Sequence, residues 1–247
     1  MFDFFRKKPK DPIQLCISTD MHCHIVPGVD DGSPDAETSA DLIESMQQWG
    51  IERIIASPHV TKFTFENNLD TLTPAMAQLH EELKRRGNDI EVTHSAEYRL
   101  DELFEERLEA NDIMPLPNSY LLVENSFMFE PMNLDSLLFD LQVKGYRPIL
   151  AHPERYSYYW NKKNRYDELH NAGLLFQVNV LSLAGAYGKA ERKIAEHLIN
   201  KGYVDFLGTD LHRQSHVDAI NAYLTTAEAR SDMELLKATV KNDTELR

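Results

Sequence analysis

Cysteine is nearly missing from these 247 residues; the only two are Cys16 and Cys23. Two thiols so close together imply no disulfide framework, and a reducing compartment is the simpler expectation. Cationic residues are also short, with 26 Lys and Arg against 40 Asp and Glu, for a formal net charge of -14. That balance repels a phosphate backbone and argues against nucleic acid as a partner. No apolar run approaches the roughly 18 residues of a membrane span. Residues 1–10 carry a few phenylalanines and then a basic cluster, too short and in the wrong order for a secretory signal. The expected location is cytoplasmic. The plain reading of that start is a frayed terminus. The sharper reading is a weak peripheral membrane contact through Phe2, Phe4, Phe5 and the neighbouring cations.

A hydrophobic share of 42% suits a globular chain with a proper core. Short apolar runs alternate with amphipathic stretches along its length. Strands are expected at Leu15 to Thr19, Ile51 to Ser57, Ile90 to Ala96, Tyr120 to Glu124, Arg147 to Ala151, Leu174 to Val180 and Tyr203 to Gly208. Helices are expected between them, the first capped by Ser33 with Pro34 at its first position. About seven such units, with no break in composition, predict a parallel sheet closed into a barrel, with a doubly wound open sheet as the alternative. Residues 1–17 form an N-terminal extension and 18–247 one domain.

His, Asp and Glu fall where the strands end. Asp20, His22 and His24 follow the first strand and His59 the second. Glu97 ends the third, Glu124 the fourth and His152 the fifth, while Asp210 and His212 follow the seventh. A parallel barrel gathers all of these on its C-terminal rim, where such folds build active sites. Residues two apart on extended chain share a side, so Asp20, His22 and His24 are expected together, with Cys23 turned away into packing. Imidazoles with carboxylates and no thiolate suit Zn, Mn or Fe, and the set exceeds what one tetrahedral ion requires. Glu97 is a natural bridge between two ions. Paired cations of this kind activate water and clamp phosphoryl oxygens. His80, His94, His170, His197 and His216 lie in expected helices or mid-strand and are read as non-ligands.

The stretches Asp20 to His24, Ser57 to His59, Ser95 to Glu97, Ala151 to Arg155 and Gly208 to His212 resemble the motifs of the PHP superfamily of metallo-phosphoesterases. Within it, His22 to Ser33, including Asp30-Asp31-Gly32, is similar to the CpsB/CapC family of bacterial manganese-dependent protein-tyrosine phosphatases of capsule and exopolysaccharide systems. The resemblance implies a distorted (β/α)7 TIM-like barrel, the PHP fold, with a trinuclear manganese site. Iron or zinc fits the same donors. Carried over by position, His22, His24, Glu97 and Asp210 hold one cation, and Glu97, His59 and His152 contribute to a second. Asp31, Glu124 and His212 complete the set. Arg155 matches the family's phosphate-site arginine, so Arg155, Asp31 and His212 form the expected catalytic group.

The expected function is hydrolysis of phosphotyrosine on a protein, with the tail of a bacterial tyrosine kinase as partner and membrane association arising through that partner. The alternatives are a small-molecule phosphomonoesterase of the histidinol-phosphate kind, a nuclease of the same superfamily, and a non-catalytic metal-bound regulator. The segment Ser126 to Asn133 and the tyrosine-rich stretch Tyr156 to Tyr166 look individual to this chain and bear on substrate preference.

Overall fold

The computed structural model describes residues 11–247. Residues 1–10, and with them the contact suggested for Phe2, Phe4 and Phe5, lie outside the described residues. Residues 13–17 pack onto the domain: Leu15 and Ile17 are buried in its core, and the Ile13 amide donates to the Leu224 carbonyl at 3.0 Å.

Among the described residues ten strands form two sheets. They are β1 (Thr19–Asp20), β2 (Arg53–Ala56), β3 (His59–Thr61), β4 (Phe65–Glu66), β5 (Glu91–His94), β6 (Glu97–Arg99), β7 (Tyr120–Glu124), β8 (Arg147–Ala151), β9 (Leu175–Asn179) and β10 (Phe206–Gly208). One sheet has the order β1-β2-β5 and the other β10-β9-β8-β7-β6-β3-β4. Every pairing is parallel except β3 with β4. The expected alternation of strand and helix is present, but no single sheet closes on itself. After the second and third expected strands the chain breaks at Ser57-Pro58 and Ser95-Ala96 and then forms a further short strand, so β2/β3 and β5/β6 are two halves of two passages. At the first break Pro58 has no amide to donate to the ladder. Across the remaining gap, Cys23 and Leu211 form one parallel bridge, with His24 N–H donating to Leu211 O at 2.9 Å.

Among the described residues ten α-helices flank the strands: α1 (Ala36–Gln48), α2 (Leu69–Arg86), α3 (Glu102–Ala110), α4 (Leu134–Val143), α5 (Lys163–Asn171), α6 (Val180–Leu183), α7 (Lys189–Lys201), α8 (Gln214–Leu224), α9 (Ala227–Leu236) and α10 (Asn242–Glu245). The cap of α1 is Asp35 rather than Ser33: its carboxylate accepts the Thr38 amide at 2.8 Å. Ser33 is instead buried and accepts a hydrogen bond from Ser39 Oγ. Among the described residues no helix is long and apolar enough to cross a membrane.

The core divides by strand parity. Tyr120 and Leu122 of β7, Ile149 and Ala151 of β8, and Phe206 of β10 join one small apolar cluster. Leu121, Val123, Leu150 and Leu207, at the alternate positions, join the larger one packed on the helices. Side chains alternate across a strand, so Glu124 continues the face of Tyr120 and Leu122. Gln177 and Asn179 likewise continue the face of Leu175. The small cluster's face therefore turns polar toward the C-terminal ends of β7 and β9.

Candidate metal centre

The strand ends bring all nine expected donors together. They fall into four overlapping groups: His22–His24–Asp210, His22–Glu97–His152, His59–Glu97–Glu124 and His24–Asp31–His59–His212. The placement follows from register. His59 opens β3 opposite Glu97, which opens β6, and Arg99 on β6 stands opposite Glu124 at the end of β7. His152 and Asp210 leave β8 and β10 in left-handed backbone, with φ of 35° and 53°. Few non-glycine residues adopt that conformation, His and Asp more often than most.

Two close approaches make room. A Cβ on Gly208 would stand 2.7 Å from His22 Cβ, and one on Gly32 would stand 2.1 Å from the His24 carbonyl oxygen. Both distances are inside van der Waals contact, so the backbone beside the histidines admits only glycine.

The histidines are oriented from behind. His22 Nδ1 lies 2.7 Å from Gln177 Oε1. The Gln177 amide is fixed because Oε1 also accepts the His152 amide while Nε2 donates to Asn179 Oδ1. His22 therefore donates through Nδ1 and leaves the Nε2 lone pair free. His24 Nδ1 pairs with Asp30 Oδ2 at 2.8 Å, and His212 Nδ1 with the Asp210 carbonyl at 2.8 Å. Their Nε2 atoms too face the cluster. His22 Nε2 is 3.4 Å from Glu97 Oε2 and 3.5 Å from Asp210 Oδ1, and His24 Nε2 is 3.5 and 3.4 Å from the same atoms. Donors about 2.1 Å from a tetrahedral ion stand about 3.4 Å apart, which is this spacing.

Glu97 reaches in the other direction as well. Its Oε2 is 3.0 Å from His59 Nδ1 and its Oε1 3.0 Å from His152 Nε2. Glu124 Oε1 is 3.5 Å from His59 Nδ1. On the outer side Asp31 Oδ1 stands 3.5 Å from His59 Nε2 and 3.6 Å from His212 Nε2. His22 Nε2, His24 Nε2, His59 Nδ1, Glu97 Oε2, Glu124 Oε2 and His152 Nδ1 are buried with no hydrogen-bond partner. Buried polar atoms of native proteins almost always have partners. Converging lone pairs of imidazoles and carboxylates fit divalent cations, so the residues present suit a metal centre.

The electrostatics agree. Burial and the neighbouring Glu97 push the Glu124 carboxyl up to about 7. Burial, then Arg155, lowers His152 to about 4, which keeps it neutral and able to ligate. Burial opposes charge on His22, but Glu97 and Asp210 outweigh it and lift the imidazole to about 9. Protons and metal ions thus compete for the same lone pairs.

Above the cluster lies a cleft of about 430 Å³ lined by Arg99, Arg155 and Arg213 and by the aromatic rings of Phe65, Phe127 and Tyr187. Phe65 stacks on His59 at 5.8 Å and Phe127 on His152 at 5.6 Å. Arg155 donates from Nη1 to Asp210 Oδ2 at 2.9 Å, with its guanidinium 4.1 Å from the Tyr187 ring and 4.8 Å from Phe127. Arg99 is held by Glu124 at 2.8 Å.

Asp20 departs from expectation. Its carboxylate accepts Thr209 Oγ1 at 2.5 Å and the His22 amide at 3.1 Å, and it joins none of the four groups. A two-residue β1 does not keep the alternation going through His24. Cys23 is buried in the larger apolar cluster. Of the five histidines set aside, none joins a group, though His216 borders the cleft and accepts the His212 amide through Nδ1. Asp30, Gln177, Asn179, Tyr187 and Phe127 are the residues sequence reasoning missed. Gln177 and Asn179 carried a signal, as amides within an otherwise apolar strand.

Residues 18–238 match the family described as capsular polysaccharide synthesis, CpsB/CapC. The tyrosine-protein phosphatase YwqE of Bacillus subtilis (strain 168) is 31% identical over 194 residues, covering 78% of this chain and 76% of that protein. Among solved structures, a TM-score of 0.76 at 28% identity relates the chain to one reported with YwqE from Bacillus subtilis and CpsB from Streptococcus pneumoniae as metal-dependent tyrosine phosphatases. That match covers 90% of this chain and 95% of the other. The fold is shared with histidinol phosphate phosphatase of Lactococcus lactis, at TM-score 0.53 and 16% identity over 92% of this chain and 94% of that one.

Proposed function

The chain belongs to the CpsB/CapC family, and from that premise we propose that it is a metal-dependent protein-tyrosine phosphatase centred on the rim cluster. The observation that carries the assignment is the set of buried donor atoms without protein partners at the base of an arginine-lined cleft. His22, His24, Glu97 and Asp210 hold one cation. Glu97, Glu124 and His152 would hold a second, and Asp31, His212 and His59 through its Nε2 a third. Manganese is the family's metal, and the donors suit iron or zinc equally. The two sheets are best read as one distorted (β/α)7 barrel, a reading supported by the strand passages they share and by the Cys23–Leu211 bridge.

Bound cations supply Lewis acidity to phosphoryl oxygens and to water. The protein's own part is to place the ester. Only Nη1 of Arg155 is engaged among the described contacts, so its remaining N–H groups are free to fork onto a phosphoryl group. Asp31, exposed at the rim beside His212, is held ionised mainly by that imidazole. The pair faces the substrate side of the cluster. Phe65 and Phe127 offer flat apolar walls to an aryl ring, which supports a tyrosyl ester over an alkyl one. Phenolate leaves readily and needs little help from an acid. The substrate is then a tyrosine-phosphorylated protein of the capsule system, a kinase tail, reached by a cytoplasmic enzyme held near the membrane through that partner.

His22→Ala and Arg155→Ala should each abolish turnover of a phosphotyrosine peptide while the circular dichroism spectrum is unchanged. Turnover of histidinol phosphate exceeding that of the peptide would replace this reading with the metabolite phosphatase.

A further inference from the structure

The two segments that look individual in the sequence meet in space beside the cleft. Met128, Phe129 and Glu130, between β7 and α4, line a second cavity of about 290 Å³ with Tyr158, Tyr159 and Lys162, between β8 and α5. Tyr158 pins the two together by donating its hydroxyl to the Ser126 carbonyl at 3.0 Å. Catalytic cleft and groove are neighbours resting on one packed row of aromatic rings. Phe127 lies 5.7 Å from Tyr156, Tyr156 stacks on Tyr158 at 5.6 Å, and Tyr158 meets Tyr159 edge-on at 4.6 Å. The residue after Phe127 already belongs to the groove.

The groove's lip is strongly apolar. Met128 is 82% exposed and Phe129 63%. Exposed thioethers and aromatics together on one loop mark contact surfaces. The charge at the groove is uneven as well. Arg165 is saturated by Glu130, Asp135 and Glu168. Lys162 is exposed and has no side-chain ion pair or hydrogen bond among the described residues. A cation left free at an apolar groove of a strongly acidic protein suits an acidic ligand.

We propose that this groove binds the substrate polypeptide beside the phosphotyrosine, seating an apolar side chain against Met128 and Phe129 with an acidic neighbour facing Lys162. The inference rests on the phosphatase reading and adds to it: the enzyme reads the sequence around the phosphotyrosine. Its occupant is the chain that enters the cleft, because Phe127 lines the cleft and its chain neighbour Met128 lines the groove. An extended peptide advances about 3.3 Å per residue, so a few residues beside the phosphotyrosine span from one to the other over the exposed Phe127 and Met128.

The test compares a phosphotyrosine peptide having apolar and acidic flanks with para-nitrophenyl phosphate, which has none. Met128→Asp/Phe129→Ser should lower kcat/KM for the peptide about tenfold, chiefly through KM, and leave the small aryl phosphate within about twofold. Lys162→Glu should shift preference by roughly threefold toward basic flanks. Equal losses on both substrates would overturn the groove, since the loop would then act through the cleft. Unchanged peptide kinetics would overturn it too, and would leave the patch to a membrane or a second copy. Wild-type enzyme that turns over neither substrate after loading with manganese would overturn the phosphatase reading first, and the groove with it.

Discussion

Asp210 divides its two oxygens between two tasks. Oδ1 faces the Nε2 atoms of His22 and His24, while Oδ2 accepts from Arg155 Nη1 at 2.9 Å, Asn179 Nδ2 at 2.7 Å and Tyr187 Oη at 3.0 Å. Three donors on one oxygen fix the rotamer and direct the other at the cluster. Partners of this kind behind a ligand change metal affinity about 10- to 100-fold. Tyr187→Phe removes one of the three, so the metal affinity of the variant, measured by chelator competition, should fall about tenfold. Affinity equal to wild type would show that the hydroxyl does not position Asp210. The ligand types were legible in the sequence because every expected donor but Asp31 ends or follows a strand, and Asp31 came only with the family resemblance. Their supports were legible only in part. Gln177 shows as an amide in an apolar strand, but Asp30 acts through tertiary placement, and nothing local distinguishes it from its neighbour Asp31, which stands beside His59 and His212 instead.

At the scale of the element, the strand ends had to approach one another closely for the donors to converge. Gly208 closes β10 against His22, and a methyl group there meets both the His22 Cβ and Gln177 Nε2, at 2.7 and 2.8 Å. Overpacking of this kind costs about 1–3 kcal/mol. Gly208→Ala should lower the melting temperature and also weaken metal binding, because the displaced side chains are a donor and its orienting amide. A variant with wild-type stability and wild-type metal content would contradict that close fit. The helices between strands were readable from their amphipathic stretches, and α7, over Lys189–Lys201, falls between the sixth and seventh expected strands. The breaks inside the second and third strand passages were not readable. The residues on either side stay extended, and Ser95 N–H still donates to Ala56 O at 2.8 Å. Only the ladder's geometry changes, which no periodicity records.

For the whole molecule, some buried acidic side chains join the metal cluster and others tie elements together. Asp205 is the clearest stabilising case, joining three elements. Its carboxylate accepts the Phe176 amide of β9 at 3.0 Å, Lys241 Nζ before α10 at 2.6 Å, and lies 3.2 Å from His170 Nε2 of α5. Burial opposes its ionisation, but these partners hold its carboxyl below the usual range. A depressed folded value means the stabilisation is complete above the unfolded value of about 3.9 and is lost as pH falls through the folded one. Asp205→Asn should therefore lower the melting temperature at pH 6 and converge on wild type as the pH drops below about 3. A gap that stays constant over that range would assign the effect to packing. The barrel expectation shows the limit of reading from units: seven strand passages were legible, but closure depends on how a two-residue β1 meets the chain after β10, and there a single bridge stands where a ladder was expected. The central claim is that the rim cluster holds divalent cations on which phosphotyrosine hydrolysis depends. It is tested most directly by metal content from mass spectrometry on protein purified without added metal, paired with phosphotyrosine-peptide turnover before and after chelation. The account predicts about two to three divalent ions per chain, with activity lost on chelation and restored by the metal. Trace metal only, or undiminished turnover after chelation and dialysis, would contradict it.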